Sequence, residues 1–263
     1  MKNLLNLLII FVQISVAQNV KLIKEIDIRA DLISSDNLGN FYVIKGSELT
    51  KYDKEGKAFG YKFSDKTLGN ITSIDASNPL KIALFYRDQS LIIFLDNMLA
   101  KTGQEINLQS LGFDQTSLIC YSFNNGIWLY LQSQFELIRL KQNTSIEQRT
   151  GNLVQIVNQD IKPEFLIEAN NFVYMNNGGE NIMMFDIFGT FMNYIPVKTN
   201  KKFQIDNQSI VYQNGNNIEI YNRKTFQVFS LPIPINENIL QIRKEENLIF
   251  CLLFNKVLIY SLN

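Results

Sequence analysis

The chain has 263 residues, 25 basic and 25 acidic, so its balanced charge gives no electrostatic reason to bind nucleic acid or an anionic membrane surface. It contains no histidine, which excludes a Ser-His-Asp triad, a histidine-bearing zinc site and any histidine general base. Catalysis by carboxylate, tyrosine, lysine or arginine survives that exclusion, as does an oxygen-ligand calcium site.

At the N-terminus Lys2 precedes an apolar run from Leu4 to Val16, broken only by Asn6, Gln13 and Ser15. Ser15-Val16-Ala17 then places small residues three before and one before a cut. This is the layout of a secretory signal peptide, so residues 1–17 are expected to be removed, with Gln18 as the new start. The run falls short of the ~20 apolar residues a bilayer span needs. No cysteine follows the cut, so a lipid anchor is not expected. Losing Lys2 leaves a net charge of −1. The strongest later run, Leu248 to Phe254, has only strand length. The expectation is an exported domain over residues 18–263 with no transmembrane segment, periplasmic or associated with the outer membrane. The short signal and the Asn, Lys and Ile richness suggest a bacterial source.

Past the signal, no segment holds a 3.6-residue apolar period for three turns, and short apolar runs bounded by Gly, Asn, Asp and Pro read as strands. Val20 to Ile28 is the first. A four-strand unit then repeats. Its first copy is Leu32 to Ser35, Phe41 to Ile44, Leu49 to Asp53 and Ala58 to Phe63. The second is Ile71 to Ala76, Ile82 to Tyr86, Ile92 to Asp96 and Glu105 to Leu108. The third is Ser117 to Ser122, Ile127 to Tyr130, Leu137 to Lys141 and a weaker outer strand near Ile146 to Arg149. The fourth is Phe165 to Ala169, Phe172 to Tyr174, Ile182 to Asp186 and Phe191 to Val197. The fifth is Phe203 to Asp206, Ile210 to Tyr212, Ile218 to Asn222 and Phe226 to Leu231. The sixth has only Ile239 to Arg243, Leu248 to Cys251 and Val257 to Ser261 before the chain stops.

The third strands end on Tyr52, Leu95, Leu140, Phe185, Tyr221 and Tyr260, which lie 36 to 45 residues apart. Four short strands need a period of about 40–50 residues, the size of a propeller blade. One spare strand at the start matches one missing at the end. Pairing them closes a ring of six blades and removes two exposed edges. A seventh blade hidden in residues 142–163 is the alternative. The two cysteines, Cys120 and Cys251, then fall on blades three and six, too far apart to bridge, and are expected as buried free thiols.

The segment Asp36-Asn37-Leu38-Gly39-Asn40-Phe41-Tyr42-Val43, followed by Leu49 to Asp53 and Gly56, resembles the blade signature of NHL-like and TolB-like six-bladed propellers. Phe185-Asp186-Ile187-Phe188-Gly189 repeats its ending. The resemblance implies an all-β six-bladed β-propeller. Its motifs shape turns and specify no activity, since one fold hosts many functions. The metal-dependent lactonase and lyase relatives use histidine or a fixed acidic set that has no counterpart here.

Several residues invite a functional reading. Phe41, Tyr42, Phe85, Tyr86, Trp128, Tyr130 and Tyr174 are spaced for packing between blades, and Trp128 is the one considered for ligand stacking. Asp53, Asp96 and Asp186 are read as turn caps, because no loop alternates oxygen ligands as a calcium site does. The sequons at Asn70, Asn143 and Asn207 are read as incidental. A partner-binding face is expected where the loops between second and third strands meet the connections between blades. It comprises Arg87, Asp88, Gln89, Gln132, Gln134, Asn176, Asn177, Glu180, Asn214 and Asn216, beside the long Gln142–Pro163 connection. Ser73, Asp75, Gln204, Asp206, Gln241 and Arg243 alternate on inner strands and are expected to line the channel.

No catalytic residue, metal site or cofactor is expected. The leading expectation is a non-catalytic interaction or scaffold propeller whose partner is an envelope protein, such as an outer-membrane protein of a translocation or secretion complex. The alternatives are a propeller lactonase or lyase, and a carbohydrate or small-ligand binder.

Overall fold

A computed structural model describes residues 20–262; the expected signal peptide lies outside them. The leading strand is β1 (Val20–Asp27). Blade one is β2 (Leu32–Ser35), β3 (Phe41–Lys45), β4 (Glu48–Tyr52) and β5 (Ala58–Ser64). Blade two is β6 (Ser73–Asp75), β7 (Ile82–Tyr86), β8 (Leu91–Leu95) and β9 (Ile106–Asn107). Blade three is β10 (Thr116–Ser122), β11 (Gly126–Leu131), β12 (Glu136–Leu140) and β13 (Ile146–Arg149). A single turn of helix, α1 (Leu153–Val157), leads to blade four, which is β14 (Leu166–Ala169), β15 (Phe172–Asn177), β16 (Asn181–Asp186) and β17 (Phe191–Ile195). Blade five is β18 (Gln204–Asp206), β19 (Ser209–Asn214), β20 (Asn217–Asn222) and β21 (Val228–Pro232). Blade six is β22 (Gln241–Glu245), β23 (Leu248–Leu252), β24 (Lys256–Leu262) and, as its outer strand, β1. The protein is a six-bladed β-propeller, as its repeat indicates.

The ring closes as the strand count requires. β1 runs antiparallel to β24, from Val20 opposite Leu262 to Asp27 opposite Lys256, with a bulge between Leu22 and Lys24. Residues 142–163 contain no seventh blade. They supply the outer strand β13 and then α1, whose Leu153 is buried, with Ile161 beyond it, in the core between blades three and four.

Burial explains the patterning within each blade. Second and third strands are covered on both faces, so β7, β8, β11 and β12 are buried along their whole length. Outer strands such as β5 and β21 are mostly exposed. The core is divided among the joints: one hydrophobic cluster fills each gap between neighbouring blades. All seven conspicuous aromatics lie in these gaps, at 1% exposure or less. Cys120 and Cys251 are free and buried, on β10 and β23, and burial pushes the Cys251 thiol up to about 12.

The acidic turns cap as expected. Asp53, Asp96 and Asp186 each accept two backbone N–H groups through Oδ1, at 2.8 to 3.0 Å. The fourth residue of each turn has positive φ: Gly56, Leu99 and Gly189. Gly56 is also a close-approach position, where a Cβ would come within 2.9 Å of Ile26 and Ile259 of the closing blade.

Candidate functional site

The first strands ring a central cavity of about 150 Å³, to which every blade contributes. An inner strand has an unpaired edge, and its N–H and C=O groups must find partners. Long polar side chains of neighbouring inner strands supply them. The Gln241 amide accepts from Ile33 N–H at 3.0 Å and donates to Ile33 C=O at 2.8 Å, joining blade six to blade one. The Gln204 amide treats Lys244 in the same way, at 2.8 Å for both bonds, joining blade five to blade six. Asp75 accepts from Tyr121 N–H at 2.8 Å, joining blade two to blade three.

Of the six residues expected in the channel, Ser73, Asp75 and Arg243 line the cavity. Gln204 and Gln241 are interblade clamps instead, and Asp206 is exposed at the end of its strand, near Lys244. The carboxylate paired with Arg243 is that of Glu245, which the sequence did not single out. Its Oε1 accepts from Ser35 Oγ at 2.5 Å and Gln204 Nε2 at 3.0 Å and lies 3.7 Å from Arg243 Nη2. Burial raises the Glu245 carboxyl, against the opposing pull of Arg243. Lys202, also missed, enters the cavity just before β18. Burial and then Arg243 push its ammonium down to about 8, although part of its surface faces the channel.

The expected partner face is partly assembled. Arg87, Gln132, Phe135 and the segment Ile161 to Glu164 share a cleft of about 310 Å³ across blades two to four. Arg87 is anchored there by Nη2 donating to Ser117 C=O at 2.9 Å. Asp88, Gln89, Gln134, Glu180 and Asn214 are exposed. Asn176 and Asn177 do not fit the expectation of a presented surface, for they are 0% and 6% exposed. Asn176 Oδ1 accepts from the N–H groups of Glu164 and Phe165, and Asn177 Oδ1 from that of Lys162. Asn216 is used the same way, bonded to Ile235, Glu237 and Ile239. These amides hold the blade connections in place. Phe135, 37% exposed and held at φ 53°, is the aromatic presented at the cleft.

Trp128 has no free stacking face. Its ring is buried and its Nε1 donates to Glu168 at 2.7 Å. Glu168 also accepts from Ser122 Oγ at 2.5 Å and Phe123 N–H at 3.0 Å. Ser122 in turn accepts from Arg139 Nε at 2.6 Å, and Arg139 pairs with Glu147. No three His, Cys, Asp or Glu side chains are grouped to hold a metal among the described residues. No described helix is long and apolar enough to cross a membrane.

These features define a six-bladed propeller with a small central cavity and a cleft on one face. No protein-family model and no curated protein matches the chain in sequence. Solved structures match its shape. It is similar to the Pan2 WD40 domain of Neurospora crassa, with a TM-score of 0.64 at 9% identity over 93% of this chain and 96% of that one. It is also similar to virginiamycin B lyase of Staphylococcus aureus, with a TM-score of 0.63 at 12% identity over 93% of this chain and 100% of that one. A streptogramin B lyase gives 0.62 at 12% identity over 91% and 98%. At these identities the likeness is one of fold, and the fold serves both an enzyme and a WD40 domain.

Proposed function

We propose that this chain is a non-catalytic interaction propeller that works outside the cytoplasm, docked by one face on an envelope protein. The observation that carries this reading is the engagement of Asp75 in the channel and of Glu245 beside it. Asp75 and Glu245 accept hydrogen bonds that join blades, and Glu168 does the same at the opposite joint. A general acid or base must reach a substrate proton, and these oxygens are held by the scaffold. A form of the S. aureus lyase with one histidine changed to alanine is described as catalytically inactive; this chain has no histidine to offer.

The docking surface in this reading is the face bearing Arg87, Gln132, Phe135 and Lys162. It combines a positioned guanidinium and an exposed aromatic ring, residue types enriched at protein interfaces. The leader-like N-terminus supports an exported location, and an outer-membrane protein of a translocation or secretion assembly is the partner class proposed.

The test is affinity purification of the tagged chain from membranes solubilised in several mild detergents. Recovery with a stoichiometric membrane partner is expected. Phe135→Asp and Arg87→Glu should each abolish that recovery while shifting Tm by no more than a degree or two. Isolation only as a free monomer in every detergent would count against the proposal.

A further inference from the structure

The central cavity is unbalanced between donors and acceptors. Of its carboxylates, Glu164 lies at the mouth shared with the cleft, and the inner ones are engaged: Asp75 accepts from the N–H groups of Ser77 and Tyr121, and Glu245, beside Arg243, from Ser35 and Gln204. Its donors are not. Among the described residues the Lys202 ammonium makes no hydrogen bond or ion pair, and the hydroxyls of Ser34, Ser73 and Ser117 have no protein partner, although all four side chains line the same cavity. Arg243 stands behind them, with Nε donating to Ser35 Oγ at 3.1 Å. A cluster of free donors around an unpaired ammonium in a small, partly enclosed cavity is the chemistry of an oxyanion site.

We infer that the central channel binds one small oxyanion, gripped by Lys202 and the hydroxyls of Ser34, Ser73 and Ser117. The volume of about 150 Å³ sets the size. A cavity of this order holds roughly six non-hydrogen atoms, enough for sulfate, phosphate or a short carboxylate and too small for a nucleotide or a sugar. Entry is from the face, because the cavity and the cleft share Arg87, Ser117, Leu118 and Glu164.

Electrostatics agrees with the geometry. The charged groups lining the channel are Lys202, Arg243 and Asp75, with Glu245 beside Arg243 and with Arg87 and Glu164 at the mouth. Burial and the like charge of Arg243 depress the Lys202 ammonium to about 8, as expected of a cation short of counter-charge. Lys202 is therefore still charged at pH 7, and an anion must lose affinity as pH rises through 8.

Calorimetric titration of the purified chain with sodium sulfate, phosphate or acetate, at constant ionic strength in sodium chloride, tests the inference. One saturable site is expected. Lys202→Met should weaken it about 10- to 100-fold, the worth of a charge-assisted hydrogen bond. Ser73→Ala should weaken it about 2- to 5-fold. Lys202→Arg, which keeps the charge, should retain binding and guards against a folding artefact in the methionine variant. Sulfate, which does not titrate in this range, should bind at pH 6.5 and be lost at pH 9.5. Binding of sulfate and phosphate alone assigns a tetrahedral oxyanion, and binding of acetate a carboxylate. The inference fails if none of the three gives saturable heat, or if Lys202→Met binds as tightly as the parent. It is independent of the docking proposal, since a propeller can lose either property and keep the other.

Discussion

Two joints on opposite sides of the disc use the same three residue types. Between blades three and four, Glu168 takes a hydrogen bond from Ser122, and Arg139 donates to that serine. Between blades six and one, Glu245 takes a hydrogen bond from Ser35, and Arg243 donates to that serine. The surroundings differ. Arg139 is 1% exposed, pairs with Glu147 and lies over the Phe123 ring at 3.7 Å, while Glu168 gains two further donors. Arg243 is 13% exposed and faces the cavity beside a second cation, Lys202. One triad is closed by protein partners and the other is left open to the channel. The same chemistry is sealed within the core at one joint and borders the channel at the other.

Deleting residues 18–28 is the largest perturbation of this contrast. It strips β1 from β24, exposes a strand edge and removes Ile26 and Ile28 from the core between blades six and one. The open joint then loses its outer support while the closed joint is untouched. Each hydrogen bond in the ladder contributes ~1 kcal/mol net, and the apolar burial adds to it. A fall in Tm of more than about 10 °C is expected, measured by circular dichroism, with hydrogen exchange accelerated first in blades six and one.

Glu168→Ala comes next. It leaves Trp128 Nε1, Ser122 Oγ and Phe123 N–H without their acceptor and removes a charge facing a buried Arg139. A cost of about 2–4 kcal/mol in urea unfolding follows. Glu245→Gln, at the open joint, should cost less than about 1 kcal/mol at pH 7. Burial already raises that carboxyl, so its ionised form is disfavoured in the folded state. The folded protein holds the Glu245 proton to higher pH than the unfolded chain does. Glu245 therefore lowers stability as pH climbs from the ordinary glutamate pKa through its raised folded value. Glu245→Gln should flatten that part of the stability profile.

The sequence carried most of the architecture because a propeller repeats one physical problem six times. Each blade needs two strands buried on both faces, and runs such as Ile92 to Phe94 declare them. Where a residue serves a neighbouring element, its sequence pattern misleads. Ile239 looked like the start of the last inner strand, but that strand begins at Gln241. Ile239 is instead a loop residue, fully buried, whose N–H goes to Asn216 and whose C=O accepts from Gln213. Asn176 and Asn177 looked like loop surface for the same reason: an asparagine that satisfies buried backbone is indistinguishable in sequence from one that meets water. Lys202 left no signal at all. It follows another lysine, and only the closed ring turns it toward Arg243.

Lys202→Met gives the smallest and most discriminating change in stability. Removing an unpaired, partly enclosed charge should stabilise the anion-free protein at pH 7, by about 1 kcal/mol. The sign follows from the depressed ammonium: its folded value of about 8 lies below the ordinary lysine value of 10.5, so the unfolded chain binds the proton more tightly. The parent pays this penalty in full below pH 8 and sheds it between pH 8 and about 10. The two unfolding midpoints should therefore converge as pH rises across that window. A constant gap at all pH values would mean that methionine stabilises by packing, and that the open joint carries no uncompensated charge.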